Sequence, residues 1–118
     1  MKYGYVIGPF RADTVWEMEQ NVRNAERLGF EVAELGAFPI IPHANTRFFN
    51  GAFVNAFLLE GTRGLMLRAA DFAITIEALG FSWRHSRGSV AEVECMETAG
   101  RPVFHSLLTL RAWLTNAP

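Results

Sequence analysis

The chain reads as an α/β fold built on a parallel sheet, and three observations predict it. Short apolar runs such as "YGYVI", "FPII" and "FAITI" alternate with longer stretches whose apolar residues recur at helical spacing. Each run ends in a turn or polar loop, and strands separated by helices pair in parallel through right-handed crossovers. A length of 118 residues, half of them apolar, suits one domain with a real core, residues 1–118, and is too short for two.

Tyr3 to Ile7 forms the first strand, and the Gly-Pro pair after it starts a loop at the strand's carboxyl end. Asp13 or Thr14 can cap the next helix, over about 15–35. On a helical wheel Val15, Met18, Val22, Ala25, Gly29, Val32 and Ala33 share one stripe, with Glu19, Arg23, Glu26, Arg27 and Glu34 opposite. Gly29 lies inside the apolar stripe, which predicts close helix-to-sheet contact instead of a stop, at a propensity cost of about 1 kcal/mol.

"AFPIIPH" is the second strand and "ANTRFFNGA" a polar and aromatic loop leaving it. Two short helices are expected at about 52–59 and 62–70, then "FAITI" as third strand, a loop over 77–88, a helix from Val90 to Ala99, and "RPVF" as fourth strand. Asp71, ahead of the third strand, reads as structural. Leu107, Leu110 and Leu114 give the tail helical spacing. In parallel α/β sheets ligands bind beyond the carboxyl ends of the strands, so the loops at 8–14, 43–50 and 77–88 are where a site is expected.

Composition narrows the function classes. Eleven basic residues against twelve acidic, spread along the chain, leave no polybasic footprint for nucleic acid or membrane. The single Cys95 excludes an intrachain disulfide. No signal peptide or long apolar span is evident, so a reducing, cytoplasmic setting is expected. His43, His85, His105 and Cys95 have no metal-ligand spacing. "GPFRADT" is not a phosphate loop of a known glycine-rich kind. Neither metal nor cofactor is expected.

The helix after the third strand carries Glu92, Glu94 and Glu97. Helical phase turns Glu94 and Glu97 to solvent and Glu92 into the apolar arc of Ala91, Val93, Cys95, Met96 and Ala99. Ser89 followed by Glu92 matches a capping box, in which the glutamate bonds back to the cap backbone. A carboxylate on a buried face equally fits a functional group, since charges are seldom buried without a partner. Spacing leaves both readings open. Trp83 fits either packing or base stacking, and His43 either a loop hydrogen bond or acid/base work.

"YVIGPFRADTVWEMEQNVRNAERL", "PIIPHANTRFF", "GLMLRAADFAITI", "FSWRHSRGSVAEVECME" and "GRPVF", in order over nearly the whole chain, resemble the small DUF4406 family, related to the nucleoside 2-deoxyribosyltransferase superfamily. The resemblance implies a flavodoxin-like domain that cleaves or transfers at an N-glycosidic bond of a nucleoside or nucleotide, and that assembles as a homodimer or larger oligomer. In active relatives the glutamate of Ser-x-Gly-x-x-x-Glu attacks the anomeric carbon, and here that position is Glu92. Ser86 and Gly88 then match the loop approaching the sugar or its 5′-phosphate, and Gly8, Pro9, Phe10 and Arg11 the first-strand loop lining the same pocket. His43 and Asn45 of "PHANT", Ser89, and a stacking Trp83 complete the expected binding residues.

One departure stands out. Enzymatic relatives often carry an aspartate at the head of the helix before the third strand, where this chain reads "EGTRGLML" with Thr62 and Arg63. Either Glu60, Glu77 or His43 protonates the departing base, or the protein binds a nucleotide-like ligand without turning it over, as a sensor or sequestering module. Cleavage of a dinucleotide such as NAD is a third expectation. Four phenylalanines, Phe48, Phe49, Phe53 and Phe57, fit either an interface or a core.

Overall fold

The computed structural model describes residues 1–78 and 81–116. Four strands form one all-parallel sheet: β1 (Tyr3–Ile7), β2 (Phe38–Ile40), β3 (Phe72–Thr75) and β6 (Val103–Phe104), in the spatial order β2-β1-β3-β6. Between them run α1 (Val15–Glu34), α2 (Pro42–Asn45), α3 (Asn55–Ala69) and α4 (Arg87–Thr98), and α5 (Leu107–Asn116) follows the last strand. A two-residue antiparallel ribbon, β4 (Glu77–Ala78) with β5 (Phe81–Ser82), lies beyond β3. The expected loop over 77–88 includes Leu79 and Gly80, which lie outside the described residues.

Side chains alternate across the sheet, and each face carries its own core. Tyr5, Ile7 and Ala73 pack with Met66 and Ala70 of α3, Val93 and Met96 of α4, and Trp83. Val6, Phe72 and Ile74 pack with Ala25 and Val32 of α1 and Leu110 of α5. The result is three layers, helices on both faces of a parallel sheet, in a flavodoxin-like arrangement. From β1 the chain moves outward to β2, then returns past β1 to β3. Right-handed crossovers in opposite directions put α1 and α3 on opposite faces and open a crevice where β1 and β3 end.

The sequence-based expectations meet the structure unevenly. β1 spans the expected residues, and α1 ends one residue short of the expected 35. Thr14 is its cap, its hydroxyl accepting the Glu17 N–H at 3.1 Å. A Cβ on Gly29 would stand 2.4 Å from Ile41 Cδ1 and 3.4 Å from Pro39 Cβ, so the missing side chain lets α1 lie against the end of β2. Asp71 joins two strand starts, accepting the Tyr3 N–H at 2.8 Å while its own N–H donates to Tyr3 O at 2.8 Å.

Three elements differ. The two helices expected over 52–70 are one, α3, because Gly61 is only a weak breaker in an otherwise helix-favouring run. The second strand stops at Ile40, and Pro42, which fits the first turn of a helix, opens α2 where the end of the strand and the start of a loop were expected. α4 begins three residues before Val90: Ser86, not Ser89, is the N-cap, accepting the Ser89 N–H at 3.3 Å. Glu92 therefore sits in the second turn, beyond the reach of a capping box.

Candidate functional site

A cleft of about 560 Å³ opens at the carboxyl ends of the first and third strands. Its floor is Tyr5 and Gly8, with the loop Pro9-Phe10-Arg11 on one side. Thr62 and Arg63 of α3 and the first turns of α4, from Ser86 through Ser89 to Glu92, form the other walls. Gly8 is buried at the turn out of β1, where a Cβ would stand 2.3 Å from Ile76 Cδ1. A larger residue there would have to displace the buried Ile76 side chain.

At the centre of the cleft Tyr5 Oη donates to Glu92 Oε2 at 2.5 Å, joining residues 87 positions apart. Tyr5 is fully buried. Its hydroxyl has to find an acceptor there, and the inward phase of Glu92 on α4 provides one. Burial pushes the Glu92 carboxyl up to about 7, against the opposing pull of the Tyr5 hydrogen bond and the Arg63 charge. Burial likewise pushes the Tyr5 phenol far up, reinforced by the neighbouring carboxylate, so it stays neutral and keeps the proton it donates to Glu92. Glu92 thus has one oxygen fixed by a neutral phenol, and near neutral pH it exchanges a proton readily. Acid, base and nucleophile roles all favour such a poise.

His43 is a clamp. Its Nε2 lies 3.0 Å from both Gly8 O and Pro9 O. Two carbonyl acceptors require that Nε2 carry the proton and leave Nδ1 unprotonated, and Nδ1 is buried without a partner. Burial lowers the His43 pKa despite those two bonds, keeping the ring neutral. Its one N–H is already engaged in shaping the first-strand loop, so it has none to offer a departing base. The other two expected acids also stand elsewhere. Glu60 is exposed and does not line the cleft. Glu77 pairs with Arg84 at 3.5 Å and borders a second cavity between α1 and the start of α5.

Of the residues expected to bind, Gly8, Pro9, Phe10, Arg11, His43, Ser86, Gly88 and Ser89 line the cleft with Glu92. Asn45 and Trp83 do not. Asn45 is exposed at the end of α2, while Thr46, Asn50 and Asn55 take the lining positions nearby. Trp83 opens a 3-10 turn over Trp83–His85 whose caps, Ser82 and Ser86, fold the indole inward. The ring joins the core beside Tyr5 and Met96 and stacks on His105 at 5.2 Å and 9°. Phe10 does line the cleft, its ring packed edge-on against His43 at 6.2 Å.

Tyr5, Arg63, Asn55, His85 and Arg87 also line the cleft and were not among the expected site residues. Tyr5 carried a readable signal: a phenol in the middle of a strand buried on both faces needs a polar partner. Arg63 and Arg87 carried none, since surface arginines look alike until a fold places them. Among the described residues no group of three His, Cys, Asp or Glu side chains is placed to hold a metal ion. None of the described helices is long and apolar enough to cross a membrane.

Comparison with known protein families finds no matching family. No curated protein matches the chain.

Proposed function

We propose that the protein cleaves or transfers at the N-glycosidic bond of a nucleoside or nucleotide, with Glu92 as nucleophile, in the manner of the nucleoside 2-deoxyribosyltransferase-like proteins that its motifs resemble. The observation that carries this reading is the Tyr5–Glu92 pair at 2.5 Å within the cleft. Tyr5 holds Oε2 and leaves Oε1 to attack the anomeric carbon. As the C–N bond breaks, its electron pair leaves with the base, and positive charge building on the sugar is stabilised by the adjacent carboxylate. Water, or a second base, then attacks the glycosyl ester, frees Glu92, and yields hydrolysis or transfer. Phe10 is the aromatic surface available to the base.

The test is a panel of deoxynucleosides, ribonucleosides and their monophosphates, with free base measured by chromatography. Base is expected from at least one member with the parent protein and none with Glu92→Ala; a panel without turnover at micromolar enzyme would end the catalytic reading. One observation favours a second reading. Among the described residues Glu92 is the only carboxyl group lining the cleft, and no other described carboxylic acid there is placed to protonate a base. A nucleotide-binding module without turnover would raise the melting temperature in proportion to ligand binding while releasing no base.

Self-association belongs to the same proposal. Phe49, Phe53 and Phe57 form a row of tilted rings at 5.8 and 5.3 Å, and Phe48 beside them is 84% exposed. Met66 is the sole fully buried residue of α3, so its first half stands proud of the body next to the cleft mouth. A second copy of the chain covers this face. A reducing cytosol suits the half-buried, unpaired Cys95.

A further inference from the structure

We propose that the ligand is a nucleoside phosphate and not a bare nucleoside, its phosphate held by the guanidinium groups of Arg11, Arg63 and Arg87. The nucleoside half of this statement rests on the N-glycosidic reading above; the phosphate half rests on charge.

Three arginines from three separate elements line one concave site: Arg11 from the loop after β1, Arg63 from α3, and Arg87 from the first turn of α4. A single carboxyl group, Glu92, lines it with them. Elsewhere Arg23, Arg47, Arg84 and Arg101 are answered. Arg23 lies 3.9 Å from Glu19, Arg47 pairs with Glu19 and Glu26, and Arg84 lies 3.5 Å from Glu77. Arg101 donates to the carbonyl oxygens of Met66 and Ala70 at 3.3 and 3.0 Å, closing the end of α3.

Among the described residues, no carboxylate lies within ion-pair distance of Arg11, Arg63 or Arg87. Arg11 donates only to a neutral amide, Asn55 Oδ1, at 2.6 Å. The second cavity provides an internal contrast, because its Arg27 shares the wall with Glu31 and Glu77.

Unanswered like charges gathered in a partly enclosed site repel one another, and that repulsion is relieved when an anion enters. A bare nucleoside has no charge to offer. A phosphate monoester carries about −1.5 to −2 at neutral pH and three acceptor oxygens, which match the planar donor fork of arginine. Glu92 does little to neutralise the cluster while burial keeps it partly protonated at neutral pH.

The test compares a nucleoside with its 5′-monophosphate by calorimetric titration and thermal shift, with inorganic phosphate and pyrophosphate alone as probes of the anion site. The variants are Arg11→Gln, Arg63→Gln and Arg87→Gln. All three positions are exposed, so the melting temperature without ligand is expected to match the parent and serves as the folding control. The nucleotide is expected to bind at least about tenfold more tightly than the nucleoside, as loss of one charge-assisted contact implies. Rising ionic strength should narrow that gap. Each substitution should weaken nucleotide binding by a clearly larger factor than nucleoside binding.

Equal affinity for nucleoside and nucleotide, or nucleotide binding untouched by all three substitutions, overturns the inference. So does inorganic phosphate or pyrophosphate binding as tightly as the nucleotide, which would mark an anion site with no nucleoside half. Base released equally well from nucleosides and nucleotides removes the phosphate and leaves the catalytic reading standing. Arginine-dependent nucleotide binding with no base release from any substrate does the reverse.

Discussion

Glu92 links the chemistry of the cleft to the stability of the protein through one proton. Unfolded, its carboxyl ionises near the ordinary value of 4.5; folded, burial holds the proton to about 7. Between those values the folded state binds more protons than the unfolded one, so stability falls as pH rises. The penalty is absent below the lower value, complete above the upper one, and at most about 3 kcal/mol. Glu92→Gln removes it. Its melting temperature is expected to exceed the parent's at about pH 8 and to converge with it near pH 5, measured by calorimetry at both; a constant difference would refute the buried-acid account.

The same proton governs the proposed activity, because the nucleophile must be ionised. The rate should climb through about pH 7, following the carboxyl's own titration. Tyr5 stabilises the ionised form, so Tyr5→Phe moves that rising limb to higher pH. A hydrogen bond to a charged group contributes roughly 1.5–3 kcal/mol, equivalent to about one to two pH units.

Among the elements, α1 is the most readable and also the most sensitive. Its wheel placed Gly29 on the buried stripe, and the structure puts Ile41 against that position. Gly29→Ala raises helix propensity by up to about 1 kcal/mol yet forces a methyl group into Ile41, at an overpacking cost of about 1–3 kcal/mol. A net loss of stability is expected in urea denaturation, and a gain would show that the contact is loose. The ends of the same stripe were less informative: Val15 and Ala33 are exposed, although Val32 beside Ala33 is fully buried.

α4 shows where local patterns mislead. Ser-x-x-Glu at 89–92 imitates a cap, but Ser86-x-x-Ser89 takes the role, since the 3-10 turn before it delivers Ser86 in the extended conformation a cap requires. The helix gains an extra turn, and that turn carries Arg87 into the cleft. α3 erred in the other direction. Two helices were expected over this stretch, but Thr62 donates back to Leu58 O at 2.9 Å and one helix runs on.

In the molecule as a whole, α3 serves both features, lining the cleft with Asn55, Thr62 and Arg63 and carrying Phe57 of the phenylalanine row. If a second copy covers that face, its removal should change assembly without disturbing the core. Phe53→Ser combined with Phe57→Ser, at 51% and 59% exposure, is expected to convert a dimer to a monomer in light scattering while the melting temperature at low protein concentration stays near the parent's. A parent that is already monomeric at high concentration would discard the interface.

The amino-acid order alone determines the alternation of strands and helices, the parallel sheet, and the inward turn of Glu92, because each depends on local periodicity. Gly8, Phe10, Ser86 and Gly88 came not from periodicity but from the resemblance of their motifs to a known family. The partner of Glu92 was not. Tyr5 lies 87 residues away and meets it only because β1 and α4 pack on one face of the sheet. The gathering of Arg11, Arg63 and Arg87, the inward burial of Trp83 and the fixed proton of His43 also depend on the packed fold. Each is a relation between distant segments, and no window of sequence contains both partners.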